Sequence, residues 1–177
     1  MLSDINTISF DLDDTLWDNK KVIIRAREKL FTKIVELYPD FKQYFNLQGF
    51  SNYGVDLYKQ KNWRCDLTAL RIAHIENTLK MAKCKTDKTE ELSDYFFYWR
   101  NQVDLFSGVE QTLAKLAGQY ALIAITNGNA NVNEIGIGQY FQFTVSASDV
   151  GEKKPSTVLF EFAISQANQK REQIIHI

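Results

Sequence analysis

From Lys20 to Asp104 the chain carries helical periodicity and no strand-like run, yet apolar strand-like runs stand on both sides of that block. This constrains the fold more than any other feature, because it calls for helices inserted between two strands of a sheet. Ahead of the block, Ile5 to Leu12 reads as a short strand running into the polar loop Asp11-Leu12-Asp13-Asp14-Thr15. Behind it, Tyr120 to Thr126, Phe143 to Ala147 and Ile174 to Ile177 read as three more strands. Val109 to Ala117 has an amphipathic helical pattern, and Pro155 suits the first turn of a helix reaching about Asn168. Strands alternating with helices imply βαβ units and a parallel sheet covered on both faces. The glycines agree: Gly49 and Gly54 are the only two before Gly108, and the other six fall between Gly108 and Gly151. The expected fold is α/β, with a Rossmann-like parallel core from residues 1–18 and 105–177 and an all-helical cap at 19–104.

Inside the block, Ile23, Ala26, Leu30, Ile34 and Leu37 recur at helical spacings, and Pro39 is a natural stop. Asp66 is placed to cap a helix through Leu67, Leu70, Ala73, Leu79 and Ala82. Thr86 or Asp87 is placed to cap another through Leu92, Tyr95, Phe96 and Trp99.

Composition narrows the partners. Lys plus Arg total 21 against 22 Asp plus Glu, a net charge of -1, where nucleic acid or an anionic membrane would favour a basic excess. No apolar stretch approaches the ~20 residues of a membrane span. Cys65 and Cys84 make no disulfide framework and suit a reducing compartment. Met1-Leu2-Ser3-Asp4 lacks the basic and long apolar regions of a secretory leader. A cytoplasmic protein acting on a small molecule, without nucleic acid or membrane, is the expectation.

Three features carry chemistry, and each follows an apolar strand. Asp11 and Asp13, two apart on an extended chain, can turn both carboxylates to one pocket at the carboxyl end of a parallel sheet. One can stay ionised as nucleophile or metal ligand while the other serves as general acid; the bland reading of Asp11, Asp13 and Asp14 is a solvated turn or a helix cap. Thr126-Asn127-Gly128 offers a hydroxyl and backbone N–H groups to an anionic oxygen, or is simply a strand-ending turn. Lys153-Lys154-Pro155 places cationic side chains before a helix, at a phosphate site or as a solvated pair. Their recurrence in this order along one sheet favours the chemical reading.

Other candidates have less behind them. His74 and His176 show no catalytic partners, and the cysteines lack metal-ligand spacing. Trp17, Trp63 and Trp99 suit packing more than stacking on a substrate ring. Arg64 and Arg100 can reach substrate oxygens or form surface salt bridges.

Phe10-Asp11-Leu12-Asp13-Asp14-Thr15-Leu16, Ile125-Thr126-Asn127-Gly128 and Lys154-Pro155 resemble the first three signature motifs of the haloacid dehalogenase-like hydrolases. The resemblance spans the whole chain, including a helical cap inserted after the first motif. It implies that Asp11 attacks phosphorus to form an aspartyl-phosphate, and that Asp13 protonates the leaving alkoxide and then activates water. Thr126 would bond a phosphoryl oxygen, Lys154 would neutralise charge on Asp11 and the phosphoryl group, and Thr15, Asn127 and Gly128 would line the substrate. Mg²⁺ would sit on the Asp11 carboxylate and the Asp13 carbonyl. The Lys-Pro pattern prefers Lys154 over Lys153, and Asp14 receives no catalytic part. An acid two residues past the nucleophile suits a leaving group that must be protonated, which a halide need not be. Thr15-Leu16-Trp17-Asp18-Asn19, Trp63-Arg64, Trp99-Arg100 and Ile125 to Ala130 are similar to a bacterial phosphatase of flavin mononucleotide and the riboflavin precursor 5-amino-6-(5-phospho-D-ribitylamino)uracil. A nucleotide or sugar phosphate is the alternative substrate class.

The family's fourth motif is an acidic cluster after the next strand. Ile174-Ile175-His176-Ile177 resembles that strand, and no residue of this sequence matches the cluster. The expectation is a core lacking its C-terminal part, with weak Mg²⁺ binding, impaired turnover or a non-catalytic module, and a bare strand edge that invites a homodimer.

Overall fold

The computed structural model describes residues 4–60, 63 and 65–177; Met1 to Ser3 and Arg64, which entered the sequence reading, lie outside them. The chain divides into two compact units, one of residues 1–19 and 103–177, the other of residues 20–102.

In the first unit, β1 (Thr7–Phe10), β2 (Ala121–Thr126), β3 (Thr144–Ser146) and β4 (Ile174–His176) form a four-stranded sheet in the order β3-β2-β1-β4. Every pairing is parallel, with Phe10 opposite Ala124, Thr126 opposite Ser146 and Ser9 opposite His176. All four residues of β1 are buried, as are Leu122 to Thr126 of β2, because a parallel sheet is covered on both faces. Helix α5 (Val109–Ala117) leads into β2, the short α6 (Val132–Ile135) and α7 (Ala147–Val150) come before and after β3, and α8 (Thr157–Ala167) lays Leu159 and Ala163 on Ile123, Ile125 and Val145. From β1 the chain steps to β2 and β3 on one side, and β4 returns to the other. Such a reversal opens a crevice at the carboxyl ends of the strands.

In the second unit, α1 (Asn19–Leu37), α2 (Leu47–Tyr58), α3 (Leu67–Met81) and α4 (Thr89–Arg100) pack around Ala26, Leu30, Ile34, Phe41, Phe50, Ile75, Leu79, Leu92 and Phe96. Helix α1 shows why it forms: Val22, Ala26, Leu30 and Ile34 recur every fourth residue and are all buried. Asn46 caps α2 by accepting from Gly49 N, and Asp66 caps α3 by accepting from Ala69 N. No helix among the described residues is long and apolar enough to cross a membrane.

Two local expectations are corrected. Helix α4 starts at Thr89 with no side-chain cap from Thr86 or Asp87, because the Asp87 carboxylate accepts instead from the Tyr38 hydroxyl at 3.2 Å. Helix α8 starts at Thr157 with Ser156 as its cap, so Pro155 precedes the helix; Lys153 to Ser156 form a turn closed by Ser156 N on Lys153 O.

His74 is a buried titratable group in the helical unit. Its Nε2 lies 2.9 Å from Phe50 O, which requires Nε2 to carry the proton, so Nδ1 accepts from Arg71 Nη1 at 2.9 Å. Burial, then the Arg71 charge, push its pKa down to about 3. Because the folded value lies below the unfolded one, the unfolded chain takes up the proton first as pH falls below about 6.5. Stability is fully present above that pH and drains toward pH 3, by about 2 kcal/mol between pH 6.5 and 5. Urea melts at pH 7 and 5 should show this loss, and His74→Gln should flatten it.

Candidate active site

The loop after β1 is a tight structure that aims two carboxylates. Leu12 O accepts from Thr15 N and Leu16 N, and Asp14 N donates to Trp17 O at 3.0 Å. Asp14 sits at φ 63, a left-handed conformation that aspartate tolerates, and its Oδ1 accepts from Asn19 N at 2.9 Å. Asp14 therefore braces the entry to α1. Trp17, fully buried, pairs with Leu105 and donates its indole Nε1–H to Asp13 Oδ1 at 3.1 Å.

Asp11 lies one residue beyond β1, its carboxylate one-third exposed. Its Oδ1 accepts from Leu12 N and from Lys154 Nζ, each at 2.8 Å. Lys154 also donates to Ile125 O at 2.7 Å, so the ammonium bridges the ends of β1 and β2. Its neighbour Lys153 contributes only a backbone carbonyl to the turn. Asn127 fixes Lys154 from the other side: Lys154 N donates to Asn127 Oδ1 at 2.6 Å, and Asn127 Nδ2 donates to Lys154 O at 3.2 Å. The Thr126 hydroxyl, buried, accepts from Gly128 N at 2.9 Å and keeps its own proton to donate.

The geometry thus joins Asp11, Lys154 and Asn127 directly and sets Thr126 on the strand next to Asp11. Asp13 Oδ1 is turned to the Trp17 indole. The Thr15 hydroxyl makes no described bond. Gly128 N and the Asn127 amide are spent inside the protein, so these two residues shape the site more than they offer hydrogen bonds to a ligand.

Sequence reasoning missed two neighbours. Trp17 reads from the sequence as a packing residue, and its bond to Asp13 depends on a left-handed Asp14 that no spacing rule announces. His176 on β4 approaches Ser9 Oγ at 2.9 Å. Burial and then Lys154 hold its imidazole below the ordinary value, against smaller upward pulls from Asp11 and the Ser9 backbone. Ser9 is fully buried, so the pair is no nucleophile and base. Trp99 packs in the helical unit with Lys29 Nζ 4.7 Å from its ring centre, and Arg100 is buried on α4.

A family model for haloacid dehalogenase-like hydrolases matches residues 5–177. The chain belongs to that family. This haloacid dehalogenase-like hydrolase is 29% identical, over 99% of its length and 76% of the relative's, to the 5-amino-6-(5-phospho-D-ribitylamino)uracil phosphatase YigB of Escherichia coli (strain K12). It is similar to a crystal structure of a 2-haloacid dehalogenase from Pseudomonas syringae pv. Tomato DC3000, with a TM-score of 0.85 and 31% identity over 97% of this chain and 76% of that one. A magnesium-bound structure of the putative hydrolase YfnB from Bacillus subtilis shares the fold, with a TM-score of 0.65 and 19% identity over 97% of this chain and 78% of that one.

Replacing Trp17 by Phe in this hydrolase removes the indole N–H that donates to Asp13 Oδ1 while keeping an aromatic ring. The expected result is a stability loss of about 1–3 kcal/mol and a roughly tenfold lower kcat with KM nearly unchanged. Steady-state kinetics beside a urea melt separate the two effects.

Proposed function

We propose that this hydrolase is a Mg²⁺-dependent phosphatase that cleaves small organic phosphate monoesters through an aspartyl-phosphate on Asp11. The observation that carries the reading is the Asp11 carboxylate held by Lys154 at 2.8 Å, with a second acid, Asp13, two residues on in the same loop. An Asp11 oxygen attacks phosphorus as the ester P–O bond breaks, and Asp13 gives its proton to the departing alkoxide. Asp13 then takes a proton from water, whose oxygen attacks phosphorus and releases Asp11 and inorganic phosphate. Lys154 offsets charge at Asp11, Thr126 donates to a phosphoryl oxygen, and Asn127 holds Lys154 in place. Positioning and fixed charge of this kind are what phosphoryl transfer needs.

The Asp11 carboxylate and the Asp13 carbonyl are hard oxygen donors of the type Mg²⁺ selects, with the other positions left to water and substrate. Bound there, Mg²⁺ would neutralise phosphoryl charge.

The likeness to YigB makes the ribitylamino-uracil phosphate the first substrate to test, the motif resemblance at Thr15 to Asn19 and Ile125 to Ala130 adds flavin mononucleotide, and two cysteines, Cys65 and Cys84, without a disulfide between them support a reducing, cytoplasmic setting. The likeness to a haloacid dehalogenase favours a second reading, halide displacement. A panel of phosphate monoesters and 2-chloropropionate, assayed with Mg²⁺, decides between them. Phosphate release without chloride release is expected; chloride release from the haloacid would overturn the reading. Preference for a sugar phosphate or pyrimidine nucleotide would displace the flavin-related substrates alone.

A further inference from the structure

The loop that carries Asp11 and Asp13 closes on a tryptophan whose direction is fixed. Trp17 is fully buried, and its indole N–H, a donor with no acceptor capacity, ends on Asp13 Oδ1 at 3.1 Å. The backbone of Trp17 pairs with Asp13 on one side and with Leu105 on the other. Its carbonyl accepts from Asp14 N at 3.0 Å, and Leu16 O beside it accepts from Phe106 N at 2.9 Å. These ties hold the ring, and the ring holds Asp13.

A half-buried carboxyl such as Asp13 needs that hold to act in one direction. The last torsion of an aspartate is broad and roughly two-fold, so its two oxygens exchange places unless one is restrained. A general acid carries its proton on one oxygen and accepts at the other. The indole N–H makes Oδ1 the accepting oxygen, which leaves the proton to Oδ2. A buried indole N–H must find a partner. Here the partner is the carboxyl that the reaction uses as its acid.

We propose that Trp17 is a positioning residue for the general acid, holding Asp13 so that Oδ2 delivers the proton, and that it thereby favours alkyl phosphate esters. The proposal rests on the phosphatase reading. In the step concerned, an Asp11 oxygen bonds phosphorus as the ester P–O bond breaks. The proton on Asp13 Oδ2 passes to the departing oxygen, leaving an alcohol and the Asp13 carboxylate. A departing alkoxide is a strong base and needs that proton in the transition state, whereas 4-nitrophenolate is a stable anion and leaves without it. Trp17 therefore matters for one class of ester and not for the other, a split that a merely structural role does not produce.

The test compares glycerol phosphate with 4-nitrophenyl phosphate on the full chain with Mg²⁺, read as kcat/KM. That ratio ends at transfer to Asp11, while kcat also contains the water step, in which Asp13 serves as base whatever the ester. Trp17→Phe should lower kcat/KM about tenfold for glycerol phosphate and by less than about twofold for 4-nitrophenyl phosphate. Phe leaves space where the indole stood. The benzothienyl isostere of tryptophan placed at position 17, with sulfur in place of N–H, keeps the packing and should show the same selective loss. Asp13→Asn is the reference and should show the same ester preference with a larger loss.

Equal loss on both esters, no loss on glycerol phosphate, or a selective loss that the isostere does not share would overturn the role of Trp17 while Asp13→Asn keeps its preference. If Asp13→Asn shows no preference either, Asp13 is not the acid, and the phosphatase mechanism falls together with this proposal.

Discussion

Asp11→Asn should reduce hydrolysis of phosphate monoesters by about 10³-fold or more, measured as phosphate release against the unsubstituted protein of the same length. The substitution keeps the side-chain shape. Leu12 N and Lys154 Nζ can still donate to the amide oxygen that replaces Asp11 Oδ1, so the loop has its present bonds and the fold should survive. What disappears is the carboxylate that attacks phosphorus, and with it the charge that would attract a cation. A neutral amide is a poor nucleophile toward phosphorus, so no compensating path is expected through this residue. Circular dichroism and a urea melt should show a folded protein of near-normal stability. Substantial turnover in that folded variant would remove Asp11 from the mechanism.

Lys154→Met should lower kcat/KM by about 10²–10³-fold, the usual cost of deleting one charged group aimed at a developing anion. The Lys154 ammonium touches Asp11 Oδ1 and Ile125 O at once. Its loss leaves the carboxylate without its described cation and a strand-end carbonyl without its donor. The second effect should appear in stability, at about 1–3 kcal/mol. Lys153→Met is the internal control, since Lys153 contributes only its backbone carbonyl to the turn and should leave both quantities nearly unchanged. A large effect at Lys153 with little at Lys154 would reverse the assignment of the cation.

The parts of the fold legible in the sequence are those written in local pattern. The run ending Ala-Leu-Ile-Ala-Ile-Thr is buried β2, and Val109 to Ala117 has the bounds of α5, because continuous apolar runs and helical periodicity report burial directly. Asp66 announces its helix by side-chain chemistry. The start of α4 was hidden because Asp87, a good cap by type, is drawn to the Tyr38 hydroxyl 49 positions away. Pro155 suited a helical first turn by its fixed φ, yet Ser156 takes the cap.

At the site, Asp11, Asp13, Thr126 and Lys154 stood out because each follows an apolar strand, and parallel strands of one sheet end on the same side. The bonds that organise them were not legible. Asn127 clasps the Lys154 backbone across 27 positions, and Trp17 reaches Asp13 only because Asp14 turns left-handed. His74 looked like one more residue on a helix; its bond to Phe50 O needs α2 packed against α3. Periodicity locates elements, while pairings between distant side chains emerge only once the elements have packed.

The central claim is that Asp11 becomes phosphorylated during turnover. Rapid acid quench during steady-state hydrolysis, followed by mass spectrometry of the peptide bearing Asp11, tests this most directly. The account predicts one added phosphoryl group on Asp11, formed and lost at rates compatible with kcat. A turning-over protein whose phosphoryl group resides on another residue, or whose Asp11 is never modified, would contradict it.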